Sequence, residues 1–495
     1  MVPPRGISAC AMQRFGGLAC PLPLCFTAPV NDPAAATDPL ERFLAAVRDQ
    51  RADDARALFA RHPGLAGREL SVECVLGDDA RVAARIEAEP ASATRVRAPG
   101  DWPPLLYTSA SPFHAESPER AESLARVALR LIAAGASADT YVLWLPDEAD
   151  SRLPALYFAS AGGNVPVTRV LLEHGADPND GESIYHSAQF DREACLELLL
   201  AHGGNVSDRH AHWGNTPLYF NLGHLEGGGN TERADRGIRW LLEHGADPNE
   251  TSGPNEETAL HCAARVGRRA EIIELLVAHG ARASSRTRSG ATPYALALRH
   301  GNVAAAQTLA ALGADASDVR DADRLIAACA ASDERAARAL LARAPGLVAS
   351  LGDEAGDVIG LFAERADDVP LALLLALGFP AEGSPNAGET PLHRAAWHGR
   401  PENVALLLAR NVRVNVRDHM YGCSALAWAC HGSANCREAD ADYARCVDLL
   451  IDAGSDRDTA INRWGAPPES MGRPAITARL IERGLARPGT AGSGD

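Results

Sequence analysis

The chain contains no lysine; all 48 of its basic residues are arginine, set against 64 aspartates and glutamates. That absence removes the phosphate-gripping lysine of a P-loop and any lysine Schiff base. A net charge of -16 and a pI near 5.5 leave no basic footprint for nucleic acid and no polybasic cluster for an anionic membrane. Aromatics are scarce, at 5%. No apolar run is long enough to span a bilayer; the mildest candidate, residues 18–30, is broken by Pro21, Pro23 and Pro29 and makes a poor signal sequence. Eleven cysteines follow no disulfide-framework spacing, and several sit in alanine-rich helical runs, as Cys329 does, so a reduced, cytoplasmic protein is expected. Nucleophile-elbow, zinc-protease and dinucleotide fingerprints are missing. The lysine-free composition has two open explanations: codon usage in a GC-rich genome, or avoidance of lysine-directed modification in a protein delivered into a eukaryotic cell.

What is present is repetition. Leu171-Leu172-Glu173-His174-Gly175-Ala176-Asp177-Pro178-Asn179 returns almost unchanged at Leu241–Asn249, with variants at Leu275–Ala281 and Leu309–Asp315. A second phrase recurs as Thr216-Pro217-Leu218-Tyr219, Thr258-Ala259-Leu260-His261, Thr292-Pro293-Tyr294-Ala295 and Thr390-Pro391-Leu392-His393. Thr258 to Thr292 and Thr390 to Ser424 are both 34 positions apart. A fixed period in this range marks a stacked array, in which each unit packs on its neighbours alone. Within a unit, threonine caps a first helix opened by proline, glycine closes it, and a second helix follows with apolar residues at helical spacing, such as Val404, Leu407 and Leu408.

This pattern resembles the ankyrin repeat family, in its bacterial-type members. The T-P-L-H motif is strong in the units beginning near 257, 291 and 389, and recognisable near 153, 183, 215 and 424. Weaker units are expected at 39–66, 70–93 and 102–139. The resemblance implies an all-α ankyrin solenoid of roughly 11–12 helix-turn-helix units, several degenerate, with short β-hairpin-like turns. The expected organisation is a disordered leader at 1–38 (Met12 being an alternative start), an N-terminal array at 39–320, degenerate helical repeats at 321–382, C-terminal repeats at 383–457, a helical cap at 458–486 and a disordered tail at 487–495. The array can restart or bend near 316–322, where the T-P-L-H turn is lost, and Gly383-Ser384-Pro385-Asn386 is a second weak point. Three units carry insertions between their helices, at His114–Ala121, Leu225–Asp235 and Ser433–Asp442; insertions in such arrays gather on one face.

Chemistry finds little support. Sixteen histidines are present, but many occupy repeat slots: His261 and His393 in the T-P-L-H phrase, His174, His202, His244 and His279 before the glycine. Spread along an array, they do not converge on one point. Cys423, Cys430, His431, Cys436 and Cys446, with His419 nearby, are the best zinc candidates, yet they lack a C-x-x-C pair. Asp440 and Asp442 begin like a calcium loop, but Ala444, Arg445 and Ile451 stand where its other ligands and turn glycine belong. No catalytic residue, metal or cofactor is expected. In the family, specificity lies after each first helix and at the hairpin tips. Carried over, the helix positions are Phe190, Asp191, Arg265, Val266, Arg299, His300, Trp397, His398 and His431; the tips are Trp213, Asn215, Met420 and Tyr421. Arg265 and Arg299 would form a basic stripe for acidic partner side chains. The expected function is a monomeric, non-catalytic scaffold binding a protein partner in the concave groove, with no nucleic acid and no membrane. Alternatives are a host-directed effector or adaptor on the same array, and an enzyme or metal-binding protein hidden in residues 322–382 or the insertions.

Overall fold

The computed structural model describes residues 38–97, 101–143, 151–211, 213–223, 231–316, 319–383, 388–436, 438 and 440–486. The expected leader and tail, the Gly227–Gly229 stretch, His212 and Ser384–Asn386 lie outside these residues, apart from Asp38. By contacts the described chain forms two units, residues 38–223 with 231–259, and residues 260–486.

The first unit is a stack of six helix pairs: Pro39–Arg48 with Ala52–Arg61, Leu70–Leu76 with Asp79–Ala88, Pro104–Ser109 with Pro118–Ala133, Ala155–Gly162 with Val165–Glu173, Ser183–Gln189 with Glu193–Ala201, and Pro217–Gly223 with Thr231–Glu243. The only ladder among the described residues pairs Tyr141–Leu143 antiparallel with Arg152–Pro154, Tyr141 opposite Pro154. Ser252 and Glu257 form an isolated bridge at a later tip.

The second unit opens with the helix Ala259–Val266 and its partner Ala270–Ala278. The pairs Pro293–Arg299 with Val303–Ala311, Asp321–Ala330 with Glu334–Arg343, Asp353–Ala363 with Val369–Ala376, Pro391–Trp397 with Pro401–Leu408, and Ala425–Asn435 with Tyr443–Asp452 follow, then the short helices Arg457–Ala460, Pro468–Met471 and Pro474–Glu482. The architecture is the all-α ankyrin solenoid.

The recurring letters explain the stacking. Thr292 Oγ1 accepts the Ala295 N–H at 3.2 Å, and Thr390 forms a reciprocal cap with His393, whose Nδ1 accepts the Thr390 N–H at 3.1 Å. His393 is fully buried, and its Nε2 donates to the Cys423 carbonyl in the next repeat at 3.1 Å. His261 makes the same bond to the Ala291 carbonyl, also at 3.1 Å. The histidines before each glycine act differently: His174, His202, His244 and His279 each place Nδ1 2.7–2.9 Å from the carbonyl four residues back, closing the end of the second helix. Two asparagines, Asn302 and the buried Asn403, add a third link. Asn302 Nδ2 donates to the Ala264 and Arg265 carbonyls, and Asn403 Nδ2 to those of Ala363 and Arg365. A continuous apolar core runs beneath, through Leu325, Ile326, Ile359, Phe362, Leu371, Leu392, Val404, Leu426 and Val447.

Residues 321–382 keep this packing with different devices. Gly352, at φ +56°, precedes the Asp353–Ala363 helix in place of a threonine cap. Arg365 stacks over Phe362 at 4.3 Å and donates to the His300 carbonyl at 2.5 Å. Arg320 joins Asp323 and Glu354, a network that replaces the missing turn motif.

Candidate protein-binding surface

All thirteen residues expected to contact a partner are half-buried, neither sealed in the core nor fully exposed. Four lie in the first unit. Phe190 follows the Ser183–Gln189 helix and stacks on His186, centroids 6.1 Å apart at 23°. Asp191 is not on the helix: it takes a left-handed φ of +55° in the turn and accepts from Arg236 at 2.6 Å. Trp213 donates its backbone N–H to His210 Nδ1 at 3.2 Å, and the Asn215 carbonyl accepts the Tyr185 hydroxyl at 2.6 Å. This tip is pinned by Glu182, whose carboxylate meets His186 at 3.1 Å and His210 at 3.0 Å; these partners outweigh its burial and draw its pKa down to about 2.

Nine lie in the second unit, in two groups. Arg265 and Val266 end the first helix of one repeat, Arg299 and His300 that of the next. Arg265 and Arg299 do occupy equivalent places, but Arg299 is already engaged: its Nε lies 3.2 Å from Asp323 Oδ1 and 3.4 Å from Glu354 Oε1. Burial, reinforced by Arg265, Arg299 and Arg365, pulls the His300 pKa down to about 3, so its imidazole stays neutral. Arg299 thus serves the fold's own carboxylates.

The other group converges. Trp397, the last residue of the Pro391–Trp397 helix, meets Trp428 edge-on at 5.8 Å and His431 at 5.3 Å. Tyr421 meets Trp428 at 5.6 Å and Trp464 at 6.3 Å. The result is a ladder, Trp464–Tyr421–Trp428–Trp397–His431, drawn from a loop, a hairpin tip and two first helices. Trp464 is its most open rung, 37% exposed. Asp418 sets the tip: its buried carboxylate accepts the Met420 N–H at 2.7 Å, the Cys423 N–H at 3.0 Å and the Trp428 indole N–H at 3.1 Å. Two close approaches hold the helices. Trp397's carbonyl accepts from the Tyr443 hydroxyl at 3.0 Å, and Gly432 lies so near that carbonyl that a Cβ there would stand 2.3 Å from it.

Trp428, Trp464 and Asp418 escaped sequence reasoning. Trp428 sits four residues past the cap Ser424, a position the repeat motif assigns to packing, and Trp464 lies beyond the last full repeat. Of the zinc candidates, Cys423, Cys430 and Cys446 are buried core thiols; burial raises all three, Cys430 to about 12. Cys436 falls in a group of three ligand-type atoms, with those of His398 and Glu438.

A family model described as ankyrin repeats (3 copies) matches residues 232–320, and one described as ankyrin repeat matches residues 153–183 and 387–419. The chain is an ankyrin repeat protein. Among similar curated proteins, the human ankyrin repeat and SOCS box protein 2 is 47% identical over 60 residues, 12% of this chain and 9% of that protein. The zebrafish (Danio rerio) ankyrin repeat and SOCS box protein 11 is 36% identical over 113 residues, 23% and 34%. The Drosophila melanogaster transient receptor potential channel pyrexia is 31% identical over 129 residues, 25% and 12%. The chain therefore spans about a third or less of the length of these relatives. Ankyrin repeats are protein-interaction modules, and no helix among the described residues is long and apolar enough to cross a membrane.

Proposed function

We propose that this ankyrin repeat protein is a non-catalytic, monomeric, cytoplasmic scaffold that captures a protein partner on the face carrying the aromatic ladder. The observation behind this reading is the ladder itself. In a chain with 5% aromatics, five rings from four separate segments meet at 5.3–6.3 Å while remaining half-accessible. Trp and Tyr clusters of this kind dominate binding energy at interfaces, since rigid rings bury large area at low entropic cost. The engaged state of Arg299 moves the weight of the proposal from the arginine stripe to these rings. The acidic body favours a protein partner over nucleic acid or an anionic membrane.

The test is a pull-down with quantitative mass spectrometry, comparing the native chain with W464A. Trp464 touches the ladder at one end, so its removal is expected to leave the thermal midpoint within about 2 °C. Partner affinity is expected to fall about 30-fold, the size of a 2 kcal/mol hot spot. Undiminished capture by both W464A and a Y421A/W464A double variant refutes the ladder as the docking face.

A further inference from the structure

We propose that His398, Cys436 and Glu438 form a three-ligand site for a divalent cation of the zinc type, clamping the Ser433–Asp442 insertion onto the first helix of the preceding repeat. The three contribute imidazole, thiol and carboxylate, the donor types zinc selects. Their ligand atoms all lie within 4.8 Å of one another. Cys436 Sγ stands 3.7 Å from His398 Nδ1 and 3.8 Å from Glu438 Oε1. In a tetrahedron with Zn–S about 2.3 Å and Zn–N or Zn–O about 2.0–2.1 Å, the sulfur edges are about 3.6 Å and the N···O edge about 3.3 Å. The two sulfur edges already fit. The third, a 2.5 Å hydrogen bond between His398 Nδ1 and Glu438 Oε1, has to open by about 0.8 Å as the metal takes the place of the shared proton.

The surroundings suit a cation. His398 caps the end of the Pro391–Trp397 helix, and its backbone N–H donates to the Arg394 carbonyl, so the ring starts from a fixed position. Cys436 is buried, and its N–H donates to the Gly432 carbonyl at 2.8 Å. The other ring nitrogen, Nε2, lies 3.9 Å from Glu364 Oε2, beyond hydrogen-bond distance but close enough for the carboxylate's charge to favour a proton there. Arg400 pairs with the second oxygen of Glu438 and with Asp440, and Arg394 faces Glu364 at 3.4 Å. The carboxylates of Glu364, Glu438 and Asp440 outnumber these two guanidiniums, so the local field favours positive charge. The proton balance is simple: metal binding releases the thiol proton to solvent and frees Nδ1, the ring proton being held on Nε2. Three protein ligands leave a fourth position for water or a partner's side chain.

The experiment is a cobalt titration of the purified, chelator-treated full chain, read by the thiolate-to-cobalt charge-transfer band and the visible bands of tetrahedral cobalt. The expected result is saturation at about one equivalent, displacement by zinc, and loss of the charge-transfer band in C436S and H398A but not in C446S. Thermal melts of each variant check folding. Should C436S not fold, E438Q decides, with cobalt affinity expected to fall at least tenfold. A native chain without the thiolate band, a C436S chain that keeps it, or an E438Q chain that binds as tightly as the native one overturns the assignment.

Discussion

Replacing Gly432 by alanine adds one methyl group, yet the helix crossing at Trp397 makes it a severe perturbation. The new Cβ would lie 2.3 Å from the Trp397 carbonyl oxygen, and 3.0 Å from both the Trp397 carbonyl carbon and Tyr443 Cε1. Comfortable non-bonded separations begin at about 3.3 Å, so the Pro391–Trp397 and Ala425–Asn435 helices have to part by about 1 Å. The obstacle is backbone, and no rotamer change relieves it. Parting them loosens buried Leu392, Ala396, Leu426 and Ala429 together. Overpacking of this kind costs about 3–4 kcal/mol, the upper end of its usual range. Alanine regains about 1 kcal/mol of helix propensity over glycine, which leaves a net loss of about 2–3 kcal/mol. For a cooperative unit of this size, that lowers the midpoint of a thermal melt followed by tryptophan fluorescence by about 5–10 °C. Gly346 supplies the control in the same unit: a Cβ there meets nothing within 4 Å, and its φ is not positive. G346A is expected to be neutral or stabilising by up to about 1 kcal/mol. A G432A midpoint within about 2 °C of the native chain, or an equal fall in both variants, refutes close helix approach as the reason for glycine at 432.

H393A leaves the Thr390 N–H and the Cys423 carbonyl without their buried partner and opens a cavity, so urea denaturation is expected to show a loss of about 2–4 kcal/mol; a loss below about 1 kcal/mol shows that His393 does not join repeats. Burial draws the His431 pKa down to about 4, below the ordinary value of about 6.5 in the unfolded chain. Its contribution is then complete above about pH 6.5 and is lost as the pH falls towards 4, at up to about 1.4 kcal/mol per pH unit, because the unfolded state binds the proton first. H431Q should flatten that slope in stability measured against pH, and an unchanged slope excludes His431 as its source.

The repeat scaffold was legible because each of its parts is local. A threonine cap followed by proline, a glycine at the helix end and apolar residues at helical spacing all act within one unit, and identical local rules reappear at every period. The structural role of His261 and His393 follows the same logic, since each repeat offers the next one's carbonyl at the same offset. The arginine stripe shows the limit. Arg265 and Arg299 fall in register, but the acids that engage Arg299 come from Asp323 and Glu354, in repeats whose turn motif has changed. Nothing in a single unit announces that pairing.

The sequence by itself determined the all-α repeat architecture, the absence of lysine chemistry and the slots where variable residues fall, because composition and periodicity act through short-range physics. Only the tertiary structure decided which variable residues meet. Trp464 reaches Tyr421, and Cys436 and Glu438 reach His398, across some 40 residues, because stacked repeats bring equivalent positions of successive units side by side. That convergence is a property of helix packing and insertion geometry, and no spacing within one repeat encodes it.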